Sequence, residues 1–275
     1  METYPLHGGA LPLSRFAGNA PQRDWACAPQ PHTAPGPTAL QIVLICGGRG
    51  TRLGALNPQR RPKAMFPING RPLAEHLWRQ FRALSSSPPI VIHSADDRSA
   101  VEWGTALKGG AILCPQEAPD GVANAVALAR PHLTGPALVL LGDVVLAGTF
   151  PGPWPEPPAV GVWSEGTDAT TVNNFGVQVR DGHVDELVEK PAPGSGLVCG
   201  IGAYLLGVEH LRAFRYTPKH PRTGEREITE ALRELVRRGH RLRTLPFAGT
   251  YLNVNEPGDV AIASQLLPVP RTTAA

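Results

Sequence analysis

Residues 47–63 hold the densest set of groups suited to an anionic ligand: Gly47, Gly48, Arg49, Gly50, Thr51, Arg52 and Leu53, then Arg61, Pro62 and Lys63, with Pro67 beyond. Backbone N–H groups converge on a phosphate only where no Cβ intrudes, so glycine is the residue such a loop needs. Arg52 and Lys63 add countercharge of two kinds, a planar guanidinium fork and a compact ammonium. The string is not a Walker P-loop, which requires GxxxxGK[ST]. Nor is it a dinucleotide fingerprint, since Leu53 stands where GxGxxG needs its third glycine. Taken alone, the glycines also fit a plain turn, and Arg49, Arg52, Arg60 and Arg61 fit a solvated face.

The elements around this string decide what it faces. Gln41–Cys46 is a short apolar run that stops at the glycines, the pattern of a buried parallel strand entering a loop. Leu73, Leu77, Phe81 and Leu84 recur at helical spacing, and Ser85–Pro89 ends that helix. Further strands are expected at 89–93, 111–114 and 137–141, with a helix over 121–132 between the last two. Such alternation implies a mostly parallel sheet with helices on both faces. Ligands of these sheets sit at the carboxyl ends of the strands, which puts the loops after Cys46 and Cys114 and the residue Asp143 on one rim. Beyond Asp143 the chain reads as more β-rich. Strands at 175–179 and 184–188 flank an Asp181-Gly182 hairpin step, a strand covers 197–206, and an amphipathic helix over 227–238 stops at Gly239.

Composition narrows the classes. The chain has 275 residues, 42% of them hydrophobic, enough for one large α/β domain with a sizeable core. With 18% charged residues and a net charge of +3, a dedicated nucleic-acid binder is not expected. Cys27, Cys46, Cys114 and Cys199 form no CxxC pair, so a reduced, cytoplasmic setting is expected rather than a disulfide framework or metal cluster. No apolar run reaches the roughly 18 residues of a membrane span, and no signal peptide is expected. His76, His93, His183 and His210 lack ligand spacing and are read as structural. Residues 1–38 are rich in Pro, Gly and Ala without periodicity and are expected to be a disordered extension. The domain is then 39–267, followed by a tail at 268–275.

Residues 47–67 resemble the signature GGxGTRLxP…PKxxxP of the NDP-sugar pyrophosphorylases, the sugar-1-phosphate nucleotidyltransferases. The pattern is similar to that of the glucose-1-phosphate thymidylyltransferases. The resemblance continues in order. Gln116 to Ala125 is similar to QxxPxGLAxA, Leu140-Leu141-Gly142-Asp143 to LxGD, and Phe175-Gly176-Val177 with Val188-Glu189-Lys190-Pro191 to YGV…EKP. Gly202-Ala203-Tyr204 resembles GxY, Glu227-Ile228-Thr229 resembles EITD, and Tyr251 to Asp259 lies in the place of WxDxGTPED. It implies an α/β, Rossmann-like (GT-A-like) three-layer α/β/α nucleotidyltransferase fold with a mixed, mostly parallel central sheet. It also implies catalytic roles for Arg52 and Lys63, and nucleotide binding by Gly47, Gly48, Gly50, Thr51, Gln116 and Gly121. Sugar-phosphate binding falls to Gly176, Glu189 and Lys190, and Mg2+ binding to Asp143 and Asn253.

Three features depart from the pattern. Asn253 replaces a second metal-binding aspartate, though an amide carbonyl is still a hard oxygen ligand, and Asp259 is a nearby carboxylate in a helix-start position. Arg60-Arg61 stand where many members are uncharged, and Val144 lacks the small polar residue often found after GD. The implied reaction joins an NTP and a sugar 1-phosphate into an NDP-sugar and pyrophosphate, with dTTP or UTP and glucose 1-phosphate favoured. GTP or CTP with another phosphorylated acceptor is one alternative, and a non-catalytic nucleotide-sugar-binding regulator is another. Partners are those substrates, without nucleic acid or membrane. Dimers or tetramers are common assemblies of the family.

Overall fold

The structure is a computed structural model that describes residues 40–48 and 50–269. The expectations for residues 1–38, Cys27 and Arg49 lie outside the described residues. The chain opens with β1 (Gln41–Ile45), β2 (Pro67–Ile68), β3 (Arg71–Pro72) and α1 (Leu73–Phe81), then β4 (Ile90–Ser94), α2 (Arg98–Ala106), β5 (Ile112–Gln116) and α3 (Val122–Leu128). It continues through β6 (Ala137–Leu141), β7 (Val144–Thr149), β8 (Ala159–Trp163), α4 (Asp168–Thr171), β9 (Phe175–Arg180), β10 (His183–Glu189) and β11 (Val198–Leu206). Last come α5 (Val208–Phe214), α6 (Ile228–Arg237), β12 (Arg243–Pro246), β13 (Ala248–Asn253) and α7 (Pro257–Leu266).

The main sheet has the order β5-β4-β1-β6-β11-β8-β12-β10-β9. Its first four strands are parallel, with Ile45 opposite both Ile92 and Leu141. Strand β11 runs against β6 and β8, and β10 runs against β12 and β9, while β12 is parallel to β8. The sheet is therefore mixed, with β11 and β10 alone opposing the common direction among the described strands. The carboxyl ends of β1, β5 and β6 share one rim, as expected. Strands β7 and β13 pair with each other in a separate two-stranded sheet, an element that apolar periodicity did not single out.

Alternation along β1 splits the core into two layers. Val43 and Ile45 pack with residues of α3, α5 and α6, whereas Ile42 and Leu44 pack with those of α1 and β7. A third cluster joins Leu53, Phe66, Ile68 and Leu73 to Val145, Val254 and Ala263, tying the glycine loop to α7. Burying side chains of this size stabilises each by roughly 1.5–3 kcal/mol. The expected hairpin forms on Asp181 and Gly182, with φ 50° and 74°, the left-handed pair of a two-residue turn. The helix expected over 121–132 is shorter: α3 ends at Leu128 and a 3₁₀ turn covers Arg130–His132. Pro131 lacks an N–H to continue the ladder. Helix α6 buries Ile228, Leu232 and Leu235, and Gly239 follows with φ 87°. Cys46, Cys114 and Cys199 are buried free thiols. No helix among the described residues is long and apolar enough to cross a membrane.

Candidate active site

The glycine loop leaves β1 and is shaped by Asn57. This buried amide donates to the carbonyls of Gly50 (3.3 Å) and Arg61 (2.7 Å) and accepts from the Arg61 N–H (3.0 Å), closing the loop on itself. Gly50 has φ 56°, and a Cβ there would strike the Arg61 carbonyl and come within 2.7 Å of Asn57 Nδ2. Glycine is required there on both counts. Leu53 is fully buried beneath the loop, while Gly48, Thr51 and Arg52 are exposed on its outer side. Gly47 lies beside Gln116: a Cβ on Gly47 would be 3.3 Å from Gln116 Oε1. Gln116 is buried at the end of β5 and donates to the Gly121 carbonyl at 3.3 Å. Gly121 in turn packs on the backbone of Arg226, whose guanidinium meets Asp120 at 3.0 Å. Lys219, at 2.6 Å, and then Arg226 hold the Asp120 carboxyl below the usual range.

The second group lies where β6 passes into β7. Lys63 opens a 3₁₀ turn whose next two residues, Ala64 and Met65, are buried. Its ammonium is 2.6 Å from Asp143 Oδ2 and donates to Asn255 Oδ1 at 2.9 Å. Pairing of β7 with β13 sets Asn253 opposite Val144, and the Val254 N–H donates to the Asp143 carbonyl at 2.9 Å. Asp143 and Asn253 are thus fixed side by side by backbone hydrogen bonds. Gly142 is buried, and its N–H donates to Ile45 at 2.8 Å. Asp259 accepts the N–H groups of Asn255 and Glu256 at 2.8 Å each, so its carboxylate is engaged at the start of α7. Burial first, then Asp97 and Asp143, pushes the Cys46 thiol far up, leaving it a neutral wall of the site.

A cation's fit can be judged from the oxygens here. The Asn253 Nδ2 donates to Asn174 Oδ1 at 3.2 Å, while its Oδ1 is buried without a hydrogen-bond partner. An unmet carbonyl oxygen at the end of β13, whose next residue bonds to the Asp143 backbone, forms with that carboxylate a set of hard donors, which suits magnesium completed by substrate phosphates and water. Asp143 and Asn253 fit that ion.

The third group is at the turn after β10. Glu189 and Lys190 are exposed. Lys190 has φ 45°, and its N–H donates to the Asn174 carbonyl at 2.9 Å. Glu189 is open to solvent on one side and crowded by protein on the others. That crowding, then Glu227, raises its pKa, with Thr229, Lys190 and Arg233 opposing. Gly176 is buried in β9, where a Cβ would be 2.6 Å from Leu197 Cδ1, so packing already demands glycine. Asn57, Asn174 and Asn255 organise these groups and were not singled out by the sequence. Asn57 precedes Pro58 in a turn-forming pair, Asn174 adjoins the block that starts at Phe175, and Asn255 lies inside the block from Tyr251 to Asp259. The four histidines read as structural make such bonds: His76 to Ile68 O (2.9 Å), His93 to Ser94 O (2.8 Å), His183 to Asp181 O (2.9 Å) and His210 to Gly207 N–H (2.9 Å).

Known proteins share this arrangement of chain. Bifunctional protein GlmU of Methanocaldococcus jannaschii is 25% identical over 230 residues, covering 83% of this chain and 54% of GlmU. The chain thus spans about half the length of that relative. The UTP–glucose-1-phosphate uridylyltransferase AglF of Haloferax volcanii is 26% identical over 237 residues, covering 83% of this chain and 96% of AglF. A UDP-glucose pyrophosphorylase solved with UDP-glucose superposes with a TM-score of 0.68 at 17% identity, covering 82% of this chain and 97% of that one. This likeness shows the Rossmann-like nucleotidyltransferase fold. The family described as nucleotidyl transferase matches residues 41–254, from β1 to the residue after β13, and the chain belongs to that family.

Proposed function

We propose that this chain, through residues 39–267, transfers a nucleotidyl group from an NTP to a sugar 1-phosphate, yielding an NDP-sugar and pyrophosphate. The favoured pair is dTTP or UTP with glucose 1-phosphate, and the cofactor is Mg2+. The observation that carries this reading is the Lys63–Asp143 contact at 2.6 Å together with the unmet Asn253 carbonyl, at the end of a loop closed by Asn57. The relatives named as uridylyltransferase and pyrophosphorylase support the choice of acceptor.

The acceptor phosphate is already anionic, so the step needs no strong base. Its obstacle is bringing two anions together, which at about 4 Å and an effective dielectric near 20 costs roughly 4 kcal/mol per unit-charge pair. Positioning and charge neutralisation therefore carry the rate. The N–H groups of Gly47, Gly48, Gly50 and Thr51 hold the triphosphate, and Gln116 with Gly121 reads the base. Arg52 and Lys63 meet the charge on the transferring and leaving groups. Lys190 holds the sugar phosphate, while Gly176 and Glu189 border the sugar. Asp143 and Asn253 would hold magnesium, which would supply further neutralisation of phosphate oxygens.

The test is pyrophosphate release with each of dTTP, UTP, CTP, GTP and ATP against several sugar 1-phosphates, with and without magnesium. Turnover is expected with dTTP or UTP, and Asp143→Ala and Lys63→Ala should each lose about 10²- to 10³-fold while staying folded. Nucleotide binding without turnover for any pair would refute the reading in favour of a sensor. Turnover confined to GTP or CTP with a different acceptor would refute the choice of substrates.

A further inference from the structure

Asparagine at position 253 has a structural cause one contact away. Asn174 lies just before β9, and its Nδ2 donates to the Thr170 carbonyl at 2.8 Å. A main-chain carbonyl can only accept, so the amide of Asn174 has one orientation, with Oδ1 turned the other way. That oxygen receives the Tyr251 hydroxyl at 2.9 Å and the Asn253 Nδ2 at 3.2 Å. In the first contact the phenol O–H of Tyr251 is the donor, because an amide carbonyl oxygen carries no hydrogen to give. Asn174 Oδ1 can only accept, so Asn253 must present its NH2 to it. The Asn253 carbonyl oxygen is left over, buried and without a partner.

We propose that Asn174 is a positioning residue that locks the Asn253 amide so that its carbonyl oxygen is offered as a cation ligand beside Asp143. The proposal rests on the reading that Asp143 and Asn253 bind the metal. It also accounts for the amide at position 253. A carboxylate there would set an oxygen against Asn174 Oδ1, acceptor against acceptor, and turning Asn174 over would oppose its oxygen to the Thr170 carbonyl. The same residue reaches the sugar-phosphate end, because its own carbonyl accepts the Lys190 N–H at 2.9 Å. Outer partners of this kind typically change metal affinity by about 10- to 100-fold.

Manganese binding to the full chain, followed by electron paramagnetic resonance, tests this without turnover, with melting curves as the check on folding. Asn174→Leu and Asn253→Ala should each weaken Mn2+ binding about tenfold, and the double variant should be no weaker than Asn253→Ala alone, since one residue acts through the other. Asn253→Asp should bind Mn2+ no tighter than the native chain despite its added charge. Adding Asn174→Leu to Asn253→Asp should then strengthen binding, reversing the sign of its effect, which a merely structural role does not do. Full additivity of the two losses, a tenfold gain from Asn253→Asp alone, or no reversal would overturn the proposal. Native Mn2+ affinity in Asn253→Ala would instead overturn the metal reading on which it rests.

Discussion

Substituting Gly142 by alanine probes the site through its backbone. The added Cβ would stand 2.6 Å from the Ala64 Cβ, 2.8 Å from the Ile45 carbonyl and 3.3 Å from the Cys46 sulfur. Carbon atoms rest at about 3.5–4.0 Å, so roughly 1 Å of space must be found. Neither of the two nearest can swing aside, since Ile45 ends a strand paired on both edges and Ala64 is buried with its Cβ fixed to the backbone. Overpacking of this kind costs about 1–3 kcal/mol, which for a domain of this size lowers Tm by roughly 2–12 °C. Ala64 follows Lys63 and Gly142 precedes Asp143, so the displacement acts on the two backbones that carry the 2.6 Å ion pair. A misplacement near 1 Å can cost about 10²-fold in rate. The loss should appear in kcat of pyrophosphate release, with nucleotide KM changed far less, because the glycine loop is held separately by Asn57. Gly135→Ala is the control: nothing lies within 4 Å of its added Cβ, and stability should stay within about 0.5 kcal/mol of native. If Gly142→Ala melted and turned over like Gly135→Ala, the close approach of β1, β6 and the Lys63 turn would be wrong.

Asn57→Ala removes three hydrogen bonds that close the glycine loop and should cost about 1–3 kcal/mol, seen mainly as a raised nucleotide KM; unchanged nucleotide affinity would refute its role. Burial lowers the pKa of His210, with Glu209 opposing and His240 adding, so the unfolded chain takes up its proton first. The stability this neutral ring permits is complete above about 6.5, the unfolded value, and is lost as pH falls below it. Melting followed from about pH 7.5 to 5 should show that decline, and His210→Gln should reduce its slope, with buried His76, lowered by the same cause, keeping the remainder. Lys63→Met frees Asp143 from its ion pair and should tighten Mn2+ binding to the nucleotide-free chain several-fold, even as turnover is lost. Weaker Mn2+ binding in that variant would show that the lysine does not compete with the ion.

Legibility followed the range of the forces involved. Elements with strong local signals were readable: β1 as an apolar run meeting glycine, α6 as an apolar stripe, the hairpin from Asp181-Gly182. Strand β7 was not, because Val144–Thr149 follows β6 after only Gly142 and Asp143, and its partner β13 is about a hundred residues away in sequence. The candidate residues Lys63, Asp143 and Asn253 were placed from recognised blocks, and backbone pairing brings them to one place. Asn57, Asn174 and Asn255 act by hydrogen bonds whose geometry no spacing encodes.

Those asparagines change the meaning of the departure at position 253. Read as one lost carboxylate, it predicts only a weaker metal site. In the folded chain the change belongs to a matched set: Asn174 accepts from Asn253, and Asn255 accepts from Lys63, which itself lies on Asp143. The charge of Asp143 is thereby met before any ligand arrives, and Asn253 brings a dipole in place of a second charge. Attraction for a divalent cation would then be strengthened by charge carried in from outside, which the proposed triphosphate would supply. On the proposed function, the same triphosphate would give the Lys63 ammonium a competing anion, so the nucleotide that needs the ion would also be the group that releases Asp143 to hold it.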